Sequence, residues 1–223
     1  MYYNVGNMCA QIIEDKLASY KAYLTIVQER MIDKYFEEQK PYICCKAGCS
    51  HCCEKGQYPV TEIELAYLML GYKLLPFETQ LKIRDNFDKL KSQYEIFKQH
   101  HSGTKDNPVF MYKCPFLVAG RCSVYEYRAV ICRTHGLLFF VEEKDGTHKN
   151  KIPYCVHYGL NYSNIYDEET KTLSDVKMAE LGIKQEPLAY NLGLKALFRK
   201  ELTDNFDFEF GEVKPLIDWF MPE

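Results

Sequence analysis

The chain has 223 residues, 47% of them hydrophobic and 26% charged, with a net charge of −3. A globule of that length buries roughly 70% of its surface and needs no covalent staples, and the longest apolar run, residues 65–70, falls far short of the ~20 residues of a membrane span. A membrane protein and a cystine-stapled secreted module are therefore not expected, which leaves ten cysteines to be explained.

Residues 1–16 show no basic stretch followed by an apolar one, so no secretory signal is expected. A reducing, cytoplasmic location follows, where clustered cysteines bind metal or do redox chemistry rather than form disulfides. Residues 1–160 carry a net +3 and residues 161–223 a net −6. Neither half has a dense basic stripe, so no nucleic-acid or membrane partner is expected, and nothing points to a protein partner.

In chain order, Ile13, Leu17, Tyr20, Leu24, Val27 and Met31 recur at steps of four and three, predicting a helix with one apolar face. Pro41 ends it, and the cysteine-rich loop 44–53 follows. Thr61 and Glu64 form a capping box that opens a helix over 63–75. Ile83, Phe87, Leu90, Tyr94 and Phe97 predict another helix after Pro76. Residues 102–113 read as loop. The apolar run 137–141, the Asp145-Gly146 turn and residues 151–154 predict a β-hairpin. A further helix is expected near 188–202, and the aromatic residues of 206–220 are expected to pack back on the body. The fold class is mainly α with a small β-hairpin (α+β), as one compact domain over 1–223. Residues 45–155 form its cysteine core, and 161–223 an acidic C-terminal extension.

Five cysteines lie within ten residues: Cys44, Cys45, Cys49, Cys52 and Cys53. Cys114, Cys122, Cys132 and Cys155 follow, and only Cys9 stands apart. The Cys49-x2-Cys52 spacing lets one turn offer two thiolates to one ion, as in structural zinc sites and iron–sulfur clusters. Gly120 permits a turn between Cys114 and Cys122. Arg121, Arg128 and Arg133 stand beside the second group, where a guanidinium favours the thiolate. Adjacent side chains diverge, so Cys52 and Cys53 are expected to play different parts. Cys9 is expected to be a packed small hydrophobe. Cys44 is undecided. The other eight read as ligands, leaning to a single compact centre shared by both groups.

The segments Cys45-x3-Cys49-x2-Cys52-Cys53 and Cys114-Pro-Phe-Leu…Gly120-Arg121-Cys122-Ser-Val-Tyr125-Glu126-Tyr127-Arg128…Cys132-Arg133 resemble the YkgJ-type cysteine-cluster family, a zinc- or iron-chelating domain. The likeness spans about half the chain, residues 45–155. It differs in the first spacing, where two residues are common, and at Ala129, where the family often has proline. It implies chelation of zinc or iron, an iron–sulfur cluster included, by Cys45, Cys49, Cys52, Cys53, Cys114, Cys122, Cys132 and Cys155. Some relatives that carry this domain are flagellin lysine methylases, which implies an alternative: an iron–sulfur or mononuclear-metal enzyme acting on a protein side chain.

Two other readings of the first motif fail on context. The Cys45-x3-Cys49-x2-Cys52 spacing also occurs in radical S-adenosylmethionine enzymes, but their loop follows a strand in a repeating βα barrel. A thioredoxin-like Cys49-x2-Cys52 should open a helix directly after a strand, and here helix and loop precede it. Among the histidines, His51, His135 and His157 are candidates to ligate or hydrogen-bond the centre. His100 and His101 end a predicted helix, where a cation suits the dipole. Tyr125 and Tyr127 are expected beside the ligands.

Overall fold

The computed structural model describes residues 10–46, 48–101, 108–143 and 145–221. Cys9, much of the expected 102–113 loop and the Ile13 side chain lie outside the described residues. About half of the residues are helical, and the strands pair only two at a time, all antiparallel.

Helix α1 (Ala10–Val27) continues through a π turn at Gln28–Ile32 into α2 (Asp33–Glu38). Its apolar stripe is buried at Leu17, Tyr20, Leu24 and Val27, and Tyr23 joins it. A 3-10 turn around Pro41 ends the helix, since proline lacks the N–H that would continue it. Next come a one-turn helix α3 (His51–Glu54), a short strand β1 (Pro59–Thr61) and helix α4 (Glu62–Lys73). The capping box is formed: Thr61 Oγ1 accepts from Glu64 N at 3.3 Å, and Glu64 Oε2 accepts from Thr61 N at 2.8 Å. Helix α5 (Phe77–His101) buries Ile83, Phe87 and Leu90 at the predicted spacing.

The hairpin of β2 (Leu117–Val118) and β3 (Arg121–Cys122) turns at Ala119 and Gly120, with φ +50° and +72°. Two positive-φ residues match the twist of the flanking strands, and Gly120 adopts its angle without Cβ strain. Helix α6 (Val130–Thr134) carries Cys132. The predicted hairpin follows as β4 (Phe139–Glu142) and β5 (His148–Lys151), its second strand three residues nearer the Asp145-Gly146 turn than the expected 151–154, since Tyr154 enters a 3-10 turn. A third hairpin, β6 (Tyr166–Asp167) with β7 (Thr172–Leu173), leads into α7 (Asp175–Glu180), which Ser174 caps.

The helix expected over 188–202 does not form as one element. Tyr190 N donates to Leu138 O at 3.1 Å and Phe140 N to Tyr190 O at 3.0 Å, so this stretch is drawn out along β4. Only two single turns remain, α8 (Leu194–Leu197) and α9 (Lys200–Thr203), parted by the extended Arg199. The aromatic tail packs back as expected. Phe206 and Phe208 ring Tyr23 with centroids 5.6 and 5.4 Å away, and β8 (Val213–Pro215) pairs with β1. Trp219 Nε1 then donates to Val60 O at 3.2 Å.

Three apolar clusters result. The first joins α4, α5 and the C-terminal turn through Leu65, Leu68, Phe87, Phe116 and Trp219, with Cys114, Cys122 and Cys132 packed against it. The second lies between α1 and α4. The third holds Leu138, Tyr162, Ile165 and Met178. Gly71 lets α4 approach Tyr127, since an added Cβ would stand 2.4 Å from the Tyr127 ring. Gly71→Ala is expected to destabilise the fold by about 1–3 kcal/mol, read as a lower denaturation midpoint; an unchanged midpoint would show that Tyr127 moves freely.

Candidate metal centre

The loop 44–53 turns twice on itself. Cys49 N donates to Lys46 O at 2.9 Å and Cys53 N to Ser50 O at 2.8 Å. Cys114 N then donates to Cys53 O at 2.8 Å, stitching the second cysteine segment onto the first. Cys122 sits opposite Leu117 in the β2–β3 hairpin. Cys132 is placed by α6, whose first N–H, from Val130, donates to Glu64 Oε1 at 2.8 Å. Cys49, Cys52, Cys53, Cys114, Cys122 and Cys132 thereby line one cavity of about 350 Å³, closed by apolar groups such as Tyr58, Leu68 and Phe116. Cys52 Sγ and Cys53 Sγ are 4.0 Å apart, and the Tyr58 hydroxyl donates to Cys52 O at 3.0 Å.

Cys45 and Cys155 stand outside that lining. Asn161 Nδ2 donates to Cys45 Sγ at 3.1 Å and to Gly136 O at 2.7 Å, while Asn161 Oδ1 accepts from Cys44 N at 2.7 Å. Cys155 lies in the 3-10 turn Tyr154–Tyr158, which packs on α3. Cys44 and Cys45 are exposed and the other seven described cysteines partly buried; all nine are free thiols. Among the described residues, no three Cys, His, Asp or Glu side chains stand as a group able to hold an ion.

Thiolate charge is costly here. Burial pushes Cys114 and Cys155 up to about 12, and Cys132 is also held well above the ordinary thiol range by burial. Neighbouring thiolates add to each: Cys122 and Cys52 act on Cys114, and Cys45, Cys52 and Cys49 on Cys155. Cys52 is the exception, pulled down to about 7 by its hydrogen bond with Cys53, with Arg128 helping. Cys53 is correspondingly raised, first by that bond and then by burial.

The arginines and histidines take separate parts. Arg121 and Arg128 line the cavity. Arg128 lies 3.8 Å over the Tyr125 ring, and its buried Nε has no hydrogen-bond partner. Arg133, expected beside the thiols, turns away instead, donating to Gln28 Oε1 at 3.2 Å and Glu126 O at 2.7 Å. The π turn at Gln28 is where it docks, a typical use of such a widened turn. Tyr125 lines the cavity, whereas Tyr127 packs on α4 against Tyr67. His51 lines a shallower pocket with Cys44 and Cys49. His157 faces Glu168 at 3.5 Å. His135 is buried, its Nε2 unpartnered, and burial followed by the Arg128 charge holds it down at about 4.

Asn161, Tyr58 and Glu64 position this region, yet none lies in a cysteine motif. Only the capping box drew attention to Glu64, and for another reason. No family model matches the chain, and neither a curated protein nor a solved structure is significantly similar to it. No helix among the described residues is long and apolar enough to cross a membrane.

Proposed function

We propose that the protein binds a thiophilic metal, zinc or iron (the latter also as an iron–sulfur cluster), through Cys45, Cys49, Cys52, Cys53, Cys114, Cys122, Cys132 and Cys155. The observation that carries this reading is that six thiols, from two stretches of chain about 60 residues apart, face one chamber. Apart from Cys52, such thiols stay protonated unless a cation replaces the protons, because burial penalises the thiolate and neighbouring thiolates repel it. The donor set fits such a cation: sulfur ligands suit zinc and iron–sulfur clusters alike. The unpartnered Nε of Arg128 on the chamber wall suits the sulfur of a metal-bound thiolate, and its charge offsets that of the centre. The likeness of the cysteine segments to the YkgJ-type family supports the same reading.

Metal and sulfide analysis of anaerobically purified protein tests it. Zinc without sulfide, or iron with sulfide, is the expected outcome. Protein that carries neither metal, and whose melting temperature is unaffected by a chelator or by added Zn²⁺, overturns it, since metal binding and folding are linked.

The apolar wall beside the thiols favours a second reading, an enzyme that uses the centre on a protein side chain. A closed structural ion needs no such cavity. An enzyme of this kind is expected to change its metal spectrum on adding a small exogenous ligand such as cyanide. An unchanged spectrum with all positions filled by protein counts against it.

A further inference from the structure

We infer that the eight cysteines form two four-thiolate sites rather than one. The inner site is Cys53, Cys114, Cys122 and Cys132; the outer site is Cys45, Cys49, Cys52 and Cys155. This rests on the metal-binding reading above and goes beyond it in number and assignment. It also replaces the single shared centre that the sequence suggests.

Stoichiometry comes first. One tetrahedral ion takes about four sulfurs, and a four-iron cluster is likewise held by about four cysteines. Eight thiols, six on the chamber and two outside its lining, exceed what one centre uses. The fold separates them along the same line. Cys114, Cys122 and Cys132 pack against the first apolar cluster and line the chamber. Cys53 is tied to them through the 2.8 Å bond from Cys114 N to its carbonyl.

Cys45 and Cys155 belong to the other side. The Asn161 amide that holds Cys45 precedes Tyr162 of the third cluster, whose hydroxyl anchors Leu138 N at 2.9 Å. The turn bearing Cys155 packs on α3, with the Tyr158 ring 5.1 Å from that of His51. Cys49 lines the chamber and also a shallower pocket beside Cys44 and His51.

Cys52 touches both sets and decides the split. The inner set has four sulfurs without it and the outer only three. Its two-residue spacing from Cys49 is the chelate spacing for one ion. The 4.0 Å between Cys52 Sγ and Cys53 Sγ makes the two sites neighbours.

Anaerobic titration of the reduced, metal-free full chain with Co²⁺ tests the division, read by thiolate–cobalt absorbance and by counting thiols still open to a thiol reagent. The expected break lies at about two Co²⁺ per chain, with about four thiols protected per ion. Cys155→Ser and Cys132→Ser are each expected to keep one equivalent. A break at one Co²⁺ per chain overturns the two-site assignment and leaves chelation standing. No Co²⁺ binding overturns chelation itself. A folded Cys155→Ser protein that binds no Co²⁺ also overturns the division, and the wild-type break decides the matter if a variant fails to fold.

Discussion

Glu64→Ala is expected to destabilise the protein by about 3 kcal/mol and to weaken metal binding with it. Glu64 is fully buried and joins two elements through its carboxylate. Oε2 accepts from Thr61 N at 2.8 Å and Thr61 Oγ1 at 3.0 Å, and Oε1 accepts from Val130 N at 2.8 Å. Alanine leaves two buried backbone N–H groups without acceptors, each costing about 1–3 kcal/mol. One of them opens α6, so Cys132 loses its support. Glu64→Gln keeps one acceptor oxygen but turns its NH2 toward the other backbone N–H, so it should lose less than alanine while leaving one N–H unpaired. Urea unfolding of the three proteins, with Co²⁺ affinity alongside, is the check; equal stability of wild type and Glu64→Ala would remove Glu64 as the link.

The same residue sets a pH dependence. Burial raises the Glu64 carboxyl above the usual range, although its hydrogen bonds from Thr61 and Val130 pull the other way. A carboxyl whose pKa is higher folded than unfolded contributes fully below the unfolded value, about 4.3 for Glu. That contribution is lost as pH rises through the folded value, where the unfolded chain binds fewer protons than the folded one. Glu64→Gln cannot titrate, so its stability relative to wild type should rise as the pH is raised above about 4. A pH-independent difference would refute the assignment.

Gly136→Ala is the second large effect. Gly136 has φ +99°, and an added Cβ would lie 2.7 Å from Asn161 Nδ2 and 2.8 Å from Cys45 Sγ. The substitution combines backbone strain of about 1–3 kcal/mol with displacement of the amide that holds Cys45. Asn161 has nowhere to retreat, being buried and bonded to Gly136 O and Cys44 N. The expected result is loss of about one Co²⁺ equivalent, from the outer site, together with a lower melting temperature. Gly182→Ala, with φ +67° and nothing within 4 Å of its added Cβ, supplies the strain alone and should keep both equivalents. If Gly136→Ala retains full Co²⁺ binding, the contact with Cys45 is immaterial to the metal.

Local pattern made the long helices legible. The four-three steps of Leu17, Tyr20, Leu24 and Val27, and the Thr61–Glu64 box, act within one or two turns and so are written in consecutive residues. The β4–β5 hairpin was legible for the same reason. The β1–β8 pair was not, because Pro59 meets Pro215 across more than half the chain and neither three-residue strand has a pattern of its own. The stretch around Tyr190 misled in the opposite sense: a helix is expected there, but β4 offers its backbone partners that local propensity cannot weigh.

For the candidate site, the sequence by itself determined which thiols are candidate ligands and the two segments that hold most of them, because chelate spacing is a short-range property. Only the tertiary structure decided which thiols meet. It placed Arg128 on the chamber and carried Arg133 off to Gln28, although both flank Cys132 in the chain. It also brought Asn161 onto Cys45 and Glu64 onto Val130. Those contacts join residues far apart in sequence, and their partners are chosen by how α4, α6 and the Tyr154–Tyr158 turn pack, not by any spacing along the chain.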